Sequence, residues 1–200
     1  MIFVHGNMGS NYFFKDIPNL ATDFTVYIPD TRSHGKSDKV KRLNYNDIAD
    51  DIANLIKHEQ IEKPIFFGFS DGGIVGLLLA LKYPNVLDKL FVAGINLTPK
   101  GIKPFWRFVT RAVFCLTFPF RFSDKMRLML TQPNITADQL KTIAIPTTVF
   151  YGEKDIVHLS HSQTIIDNIQ GSKLIIVPNA DHGNYIADNK RIFELIIKEL

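Results

Sequence analysis

The sequence predicts an α/β domain whose sheet is mostly parallel. Short apolar runs alternate with segments that have the hydrophobic spacing of helices along nearly the whole chain. Glycines and polar residues follow several of the apolar runs, as expected where parallel strands end at one edge of a sheet. With 200 residues, 46% of them hydrophobic, the chain can bury the core of one globular domain.

The alternation gives the order of the elements. We predict strands at residues 1–4, 24–29, 64–69, 87–95, 147–151 and 173–177. We predict helices at residues 11–22, 45–59, 74–83, 160–169 and 189–200. The helix at 45–59 is amphipathic and has Asn44 or Asn46 as its N-cap. The helix at 74–83 is apolar nearly all round, so we expect it to be buried against the sheet.

One segment interrupts the alternation. Residues 97–142 form an insertion between two parts of the core, 1–96 and 143–200. The insertion is rich in aromatic and basic side chains: Phe105, Trp106, Phe108, Phe114, Phe118, Phe120, Phe122, Arg107, Arg111, Arg121 and Arg127. These rings either line an apolar substrate pocket, with Phe105 and Trp106 as contacts, or pack the insertion onto the core. A third reading is that the basic and aromatic surface rests on an anionic membrane.

A nucleophile is predicted where the third strand ends. Ser70 lies two residues after Gly68 and two before Gly72, which is the G-x-S-x-G spacing of a sharp turn between a strand and a helix. Side chains at the two glycine positions would collide with the adjacent strand and helix. The turn would hold Ser70 above the edge of the sheet.

A serine nucleophile needs a base, and the base needs a carboxylate to orient it. Asp155 follows the strand at 147–151 and His182 follows the strand at 173–177, so both are expected at the same edge as Ser70. The chain order of serine, acid and histidine is typical of this architecture. Glu153 and Asp181 are the other acidic candidates; we expect Asp181 to form a turn.

The oxyanion that such a reaction creates needs two N–H donors. We assign one to the backbone of Asn7, in the loop after the first strand, and the other to the backbone of Asp71. The side chain of Asp71 is also a candidate for binding substrate. His5 is expected to be a structural hydrogen-bonding residue rather than a second base.

Composition narrows the classes of function. Lys and Arg are spread along the chain apart from a cluster between Lys100 and Arg127, so we expect no nucleic-acid partner. The single cysteine, Cys115, suits a reducing compartment and is expected to be a small apolar filler. The sequence has no signal for secretion or for a membrane span, so we expect a cytoplasmic location. His158 and His161 lack a third ligand, and we expect neither a metal nor a cofactor.

Five motifs together resemble the α/β-hydrolase superfamily. They are His5-Gly6, the loop from Asp30 to Ser37, Gly68-Phe69-Ser70-Asp71-Gly72, Gly152-Glu153-Lys154-Asp155 and Ala180-Asp181-His182-Gly183. The resemblance implies a Ser-His-Asp hydrolase in which the insertion forms a short helical cap. Within the superfamily, the elbow is similar to that of small esterases of the biphenyl hydrolase-like group and of C–C bond hydrolases. Members normally begin with a β-hairpin, which this sequence lacks, so the strand at 24–29 is expected at an exposed edge.

We therefore expect a serine esterase that cleaves a small, hydrophobic carboxylic ester through an acyl-enzyme. The serine argues against dehalogenases and epoxide hydrolases of this superfamily, which use a carboxylate as nucleophile. Two alternatives stay open. One is a C–C bond hydrolase of dienone acids, and the other is a non-catalytic, hydrolase-like protein that binds a ligand at the elbow.

Overall fold

The computed structural model describes residues 1–118, 120 and 122–200. Arg121 and the side chain of Phe122, both in the aromatic and basic insertion, lie outside the described residues. Five parallel strands form one sheet in the order β1-β2-β3-β4-β5. The strands are β1 (Ile2–Val4), β2 (Ile65–Phe69), β3 (Lys89–Ala93), β4 (Thr147–Gly152) and β5 (Lys173–Val177). The predicted parallel sheet is confirmed.

Helices connect the strands and cover both faces of the sheet. They are α1 (Ile17–Leu20), α2 (Tyr45–His58), α3 (Asp71–Lys82), α4 (Pro104–Thr117), α5 (Phe122–Thr131), α6 (Ala137–Leu140), α7 (Leu159–Asn168), α8 (Asn184–Ala187) and α9 (Asn189–Ile197). Short 3₁₀ turns lie at Asn11–Phe14 and Pro99–Gly101. Asn44 caps α2, since its side chain accepts a hydrogen bond from the Asn46 N–H. None of the helices in the described ranges is long and apolar enough to cross a membrane.

The core lies in two layers because successive side chains of a strand point to opposite faces of the sheet. Phe66 of β2 and Leu90 of β3 pack with the apolar faces of α2 and α3 on one side. Phe67 of β2 and Phe91 of β3 pack on the other side, with residues of α1 and α9. Helix α3 is buried along most of its length, as predicted. This packing holds the strands in place, and it therefore fixes where the loop after each strand begins.

Two predicted elements are wrong in form. Residues 24–29 make a single parallel bridge, between Tyr27 and Ile2, instead of a strand. The neighbouring β1 has only three residues and Pro29 lacks an N–H, so a longer ladder cannot form here. Residues 11–22 divide into the 3₁₀ turn and α1, because Pro18 cannot donate the hydrogen bond that a continuous helix requires.

The insertion is helical and is tied to the core through α5. Helix α4 packs against α5. The Arg127 guanidinium donates to the carbonyl oxygen of Leu43 at 2.7 Å, and the Asn7 side-chain amide donates to the carbonyl oxygen of Lys125 at 3.0 Å. Cys115 of α4 is exposed, so the expectation that it fills a gap in the core is wrong. The division into a core and a cap at 97–142 stays a prediction.

Candidate active site

The turn at Ser70 is strained in the way that a nucleophile elbow requires. Ser70 has φ 52° and ψ −115°, a conformation that residues with a side chain rarely adopt. A Cβ atom at Gly68 would lie 2.2 Å from the carbonyl oxygen of Gly72, and one at Gly72 would lie 2.1 Å from that of Val4. The two glycines are therefore required for α3 to begin this close to β1 and β2.

The structure brings Ser70, His182 and Asp155 together. The distance from His182 Nε2 to Ser70 Oγ is 3.2 Å, and that from His182 Nδ1 to Asp155 Oδ1 is 2.7 Å. Asp155 is fully buried, and its Oδ1 atom also accepts the N–H of Val157 at 2.9 Å. A carboxylate held in this way favours the histidine tautomer with the proton on Nδ1, which leaves Nε2 free to accept the serine proton.

Gly94 leaves space for the side chains of His182 and Asp155, and sequence reasoning missed it. It directly follows β3 and has φ +61°. A Cβ atom on Gly94 would lie 2.9 Å from His182 Cε1 and 3.2 Å from Asp155 Oδ2. The sequence shows Gly94 near the end of a predicted strand, which was the available signal. Glycine has no reactive side chain, however, so nothing marked Gly94 as part of the site.

The two residues predicted as oxyanion donors lie in the loop after β1 and at the start of α3. Asn7 is in the loop after β1, and its side chain is bonded to Lys125 as described above. Asp71 is the first residue of α3, so its backbone N–H has no acceptor within the helix. The Nε2 atom of His5 accepts the N–H of Thr31 at 3.2 Å, which fits the structural role expected for His5.

His34 supports the loop after β1, which contains Asn7. Its Nε2 atom accepts the N–H of Met8 at 3.3 Å. Burial lowers the pKa of His34 to about 4, and the nearby Lys125 ammonium and His5 act in the same direction. At neutral pH His34 is therefore uncharged, as an acceptor must be.

The carboxyl group of Asp71 is buried next to Ser70. Its Oδ2 atom has no hydrogen-bond partner within the described residues. Burial raises the pKa of Asp71 to about 6, while the Tyr45 hydroxyl, His182 and the Lys125 ammonium act to lower it. Burial in turn lowers the pKa of Lys125, and Asp71 counters this. The Lys125 ammonium group of α5 thus interacts electrostatically with a carboxyl group beside Ser70.

The remaining sequence candidates lie in other roles or places. Asp181 Oδ1 accepts the N–H groups of Gly183 and Asn184, both at 2.8 Å, and so forms the expected turn. Glu153 accepts the N–H of Asn179 at 2.8 Å. His161 Nδ1 accepts the N–H of Leu97 at 3.1 Å. Phe105 and Trp106, the predicted substrate contacts, are 67% and 45% exposed, and their rings meet edge to face at 5.4 Å.

The family model for the alpha/beta hydrolase fold matches residues 1–112 of the chain. The chain belongs to this α/β-hydrolase family. The hydrolase is 28% identical over 214 residues to serine hydrolase BPHL of Homo sapiens, a match that covers 93% of this chain and 74% of that protein. It is 29% identical over 116 residues to ethanol acetyltransferase 1 of Eremothecium cymbalariae, covering 56% of this chain and 32% of that protein. The chain thus spans about a third of the acetyltransferase's length.

Solved structures share the fold of this hydrolase. A thermophilic esterase from Thermogutta terrifontis superposes with a TM-score of 0.79 at 21% identity, over 99% of this chain and 88% of that one. The meta-cleavage product hydrolase CumD from Pseudomonas fluorescens gives a TM-score of 0.79 at 20% identity, over 98% and 88% of the two chains. At these identities the likeness supports the fold alone. Together with the serine hydrolase relative, the family match supports an enzyme of the hydrolase class.

Proposed function

We propose that this hydrolase is a serine carboxylesterase with Ser70 as nucleophile, His182 as general base and Asp155 as the residue that orients it. The observation that carries the proposal is the continuous contact from Ser70 Oγ through the imidazole to the buried carboxylate. The strained elbow supports it, because an unfavourable backbone conformation at this serine persists only when the surrounding packing holds it in place.

The reaction proceeds in two halves. His182 Nε2 takes the proton of Ser70 as Oγ attacks the ester carbonyl carbon, and the Asn7 and Asp71 N–H groups stabilise the resulting oxyanion. The imidazolium then gives its proton to the departing alcohol, which leaves an acyl group on Ser70. Water, deprotonated by His182, attacks this acyl group and releases the carboxylic acid and the free serine.

The acyl-enzyme also allows transfer to an alcohol instead of water, since both are oxygen nucleophiles. The relative named as an ethanol acetyltransferase makes this worth measuring. Hydrolysis is the main proposal because the match to a serine hydrolase covers much more of both chains.

Asp71 leads to a finer hypothesis about substrate charge. If its carboxylate faces the substrate, it would bind the ammonium group of an amino-acid ester. Asp71→Ala should then weaken the hydrolysis of cationic esters selectively. Equal losses on neutral and cationic esters of the same alcohol would count against this hypothesis.

Lys125 favours a second candidate, the C–C bond hydrolase of dienone acids. Its ammonium group acts electrostatically on Asp71, and the same residue lines a cavity of about 220 Å³ together with Lys39, Lys41 and Asp124. Asp124 is already paired with Arg127, so the three ammonium groups of this cavity would attract a substrate carboxylate. Dienone acids compared with aryl esters, in the natural chain and in Lys125→Gln, would separate the two candidates: selective loss on the acids supports the second.

The proposed nucleophile is tested with a fluorophosphonate probe, which labels activated serines covalently. We expect labelling of the natural chain, loss of labelling in Ser70→Ala and full labelling in Ser160→Ala, a control at an exposed serine of α7. Absence of labelling in the natural chain would favour the non-catalytic binding protein. Labelling that persists in Ser70→Ala would overturn the assignment of the nucleophile.

A further inference from the structure

Helix α4 turns its apolar stripe toward solvent. Phe105 is 67% exposed, Phe108 70% and Leu116 82%. Their spacing of three and eight residues places all of them on one side of the helix. A surface helix normally buries such a stripe against the core, but Thr110 is the one buried residue of α4 among those that the structure describes. Within this part of the chain the stripe stays exposed, and the ring contact of Phe105 is with the neighbouring Trp106.

The surroundings of the stripe are positively charged. The sequence has no Asp or Glu between Asp88 and Asp124. Lys100 and Arg111 are exposed, and Arg107 is half-buried. Within the described residues, neither Arg107 nor Arg111 has an ion-pair partner. The exposed stripe of α4, together with Lys100 and Arg111, is called the α4 face.

The charge decides which partner fits the α4 face. A second copy of the chain, joined through the same face, would bring Arg111 at the border of the stripe toward its own counterpart, and the segment between Asp88 and Asp124 has no acidic residue to balance the charge. An anionic bilayer matches both features of the α4 face. It offers an apolar layer for the rings and phosphate charges for the basic side chains. Trp106, 45% exposed beside Phe105, has the side chain typical of the interface between lipid and water.

We propose that the α4 face docks on the surface of an anionic membrane. Helix α4 lies along the interface, with Phe105, Phe108 and Leu116 among the acyl chains and the basic side chains at the headgroups. The attachment is peripheral and adds to the esterase proposal without depending on it.

Trp106 is the only tryptophan in the chain and reports on this docking directly. The protein is mixed with vesicles of phosphatidylcholine alone or with added phosphatidylglycerol, and its fluorescence and sedimentation are followed. We expect a shift to shorter wavelength and at least about tenfold tighter binding with the anionic vesicles, both weakened by salt. Identical binding to the two kinds of vesicle, or to neither, would overturn the proposal.

Variants separate the α4 face from other surfaces. Phe108→Ser/Leu116→Ser leaves the Trp106 side chain in place and should lower vesicle binding at least about tenfold, whereas Ile176→Ser, at a half-exposed site on β5, should leave it unchanged. Arg111→Gln should lower it about fivefold, and Lys190→Gln, on α9, should not. A dimer that the double substitution dissociates, without vesicle binding by the natural chain, would assign the face to a second copy and refute the proposal.

Discussion

His182 Nε2 lies 3.2 Å from Ser70 Oγ, although the two residues are 112 positions apart in the chain. The sheet produces this approach, because β2 and β5 end at the same edge and the chain turns immediately after each of them. The same edge holds Asp155 after β4. Each residue can therefore be tested separately through its own loop.

Asp155→Asn tests the orienting carboxylate. The substitution keeps the size of the side chain but removes the charge that favours the productive tautomer of His182, so we expect kcat to fall about 10⁴-fold on an aryl ester. Glu153→Gln changes the other acid of the loop and should leave kcat nearly unchanged. A larger loss in Glu153→Gln than in Asp155→Asn would reverse the assignment.

Gly94→Ala tests the space beside the histidine. The added methyl group would lie 2.9 Å from His182 Cε1, so we expect His182 to be displaced and kcat to fall by at least about tenfold. Gly171→Ala is the matched control, because Gly171 also has a positive φ, of +75°, but a Cβ atom added there would have no neighbour within 4 Å. Both should cost about 1 kcal/mol of unfolding free energy from the backbone, and only Gly94→Ala should lose activity.

Asp71→Asn tests the buried carboxyl group through pH. The pKa of Asp71 rises from 3.8 to about 6 in the folded state, so between these values the folded chain binds more protons and the free energy of unfolding falls as pH rises. The loss, complete above about pH 7, is about 3 kcal/mol. Asp71→Asn removes it, so the variant should be more stable than the natural chain at about pH 8 and no more stable at about pH 4.

Urea denaturation at the two pH values measures this difference, with Asp23→Asn as an exposed control. An equal effect of Asp71→Asn at both values would contradict the raised pKa. Fluorophosphonate labelling should persist in Asp71→Asn, since the proposed oxyanion donor at this position is the backbone N–H.

Two substitutions of Asn7 distinguish its backbone from its side chain. Asn7→Ala removes the hydrogen bond to the Lys125 carbonyl oxygen and should cost about 1 kcal/mol of stability, with only a small change in kcat. Asn7→Pro removes the N–H and should lower kcat by about 10²–10³-fold. Thermal unfolding of both variants controls for folding. Similar kcat values for the two folded variants would exclude the backbone N–H of Asn7 as an oxyanion donor.

The parts of the fold that sequence reasoning located were those with a strong local pattern. The strand at 173–177 was predicted with the bounds that the structure shows, because five residues between polar turns can form little else. The spacing around Ser70 indicated the elbow, and the chain order then indicated His182 and Asp155. The inferences about Ser70, His182 and Asp155 depended on side chains that have an evident chemical use.

The failures have physical causes that a single sequence conceals. Residues 24–29 have the composition of a strand, but their pairing is limited by the length of β1, which lies elsewhere in the chain. Gly94 matters because of atoms that reach it from the loops after β4 and β5, and its own neighbours in the sequence give no sign of them. The exposed stripe of α4 has the same periodicity as a buried one, so the pattern alone could not tell which side faces solvent.

The bond from Asn7 to Lys125 has a consequence for turnover. It fastens a loop that contains a proposed oxyanion donor to α5 of the insertion. If α5 swings away to let product escape, this bond must break, at a cost of about 1 kcal/mol, while the bond from the Met8 N–H to His34 still holds the loop. The side chain of Asn7 would therefore help to keep the insertion closed over Ser70, and Asn7→Ala should speed the release of product rather than change the acylation step.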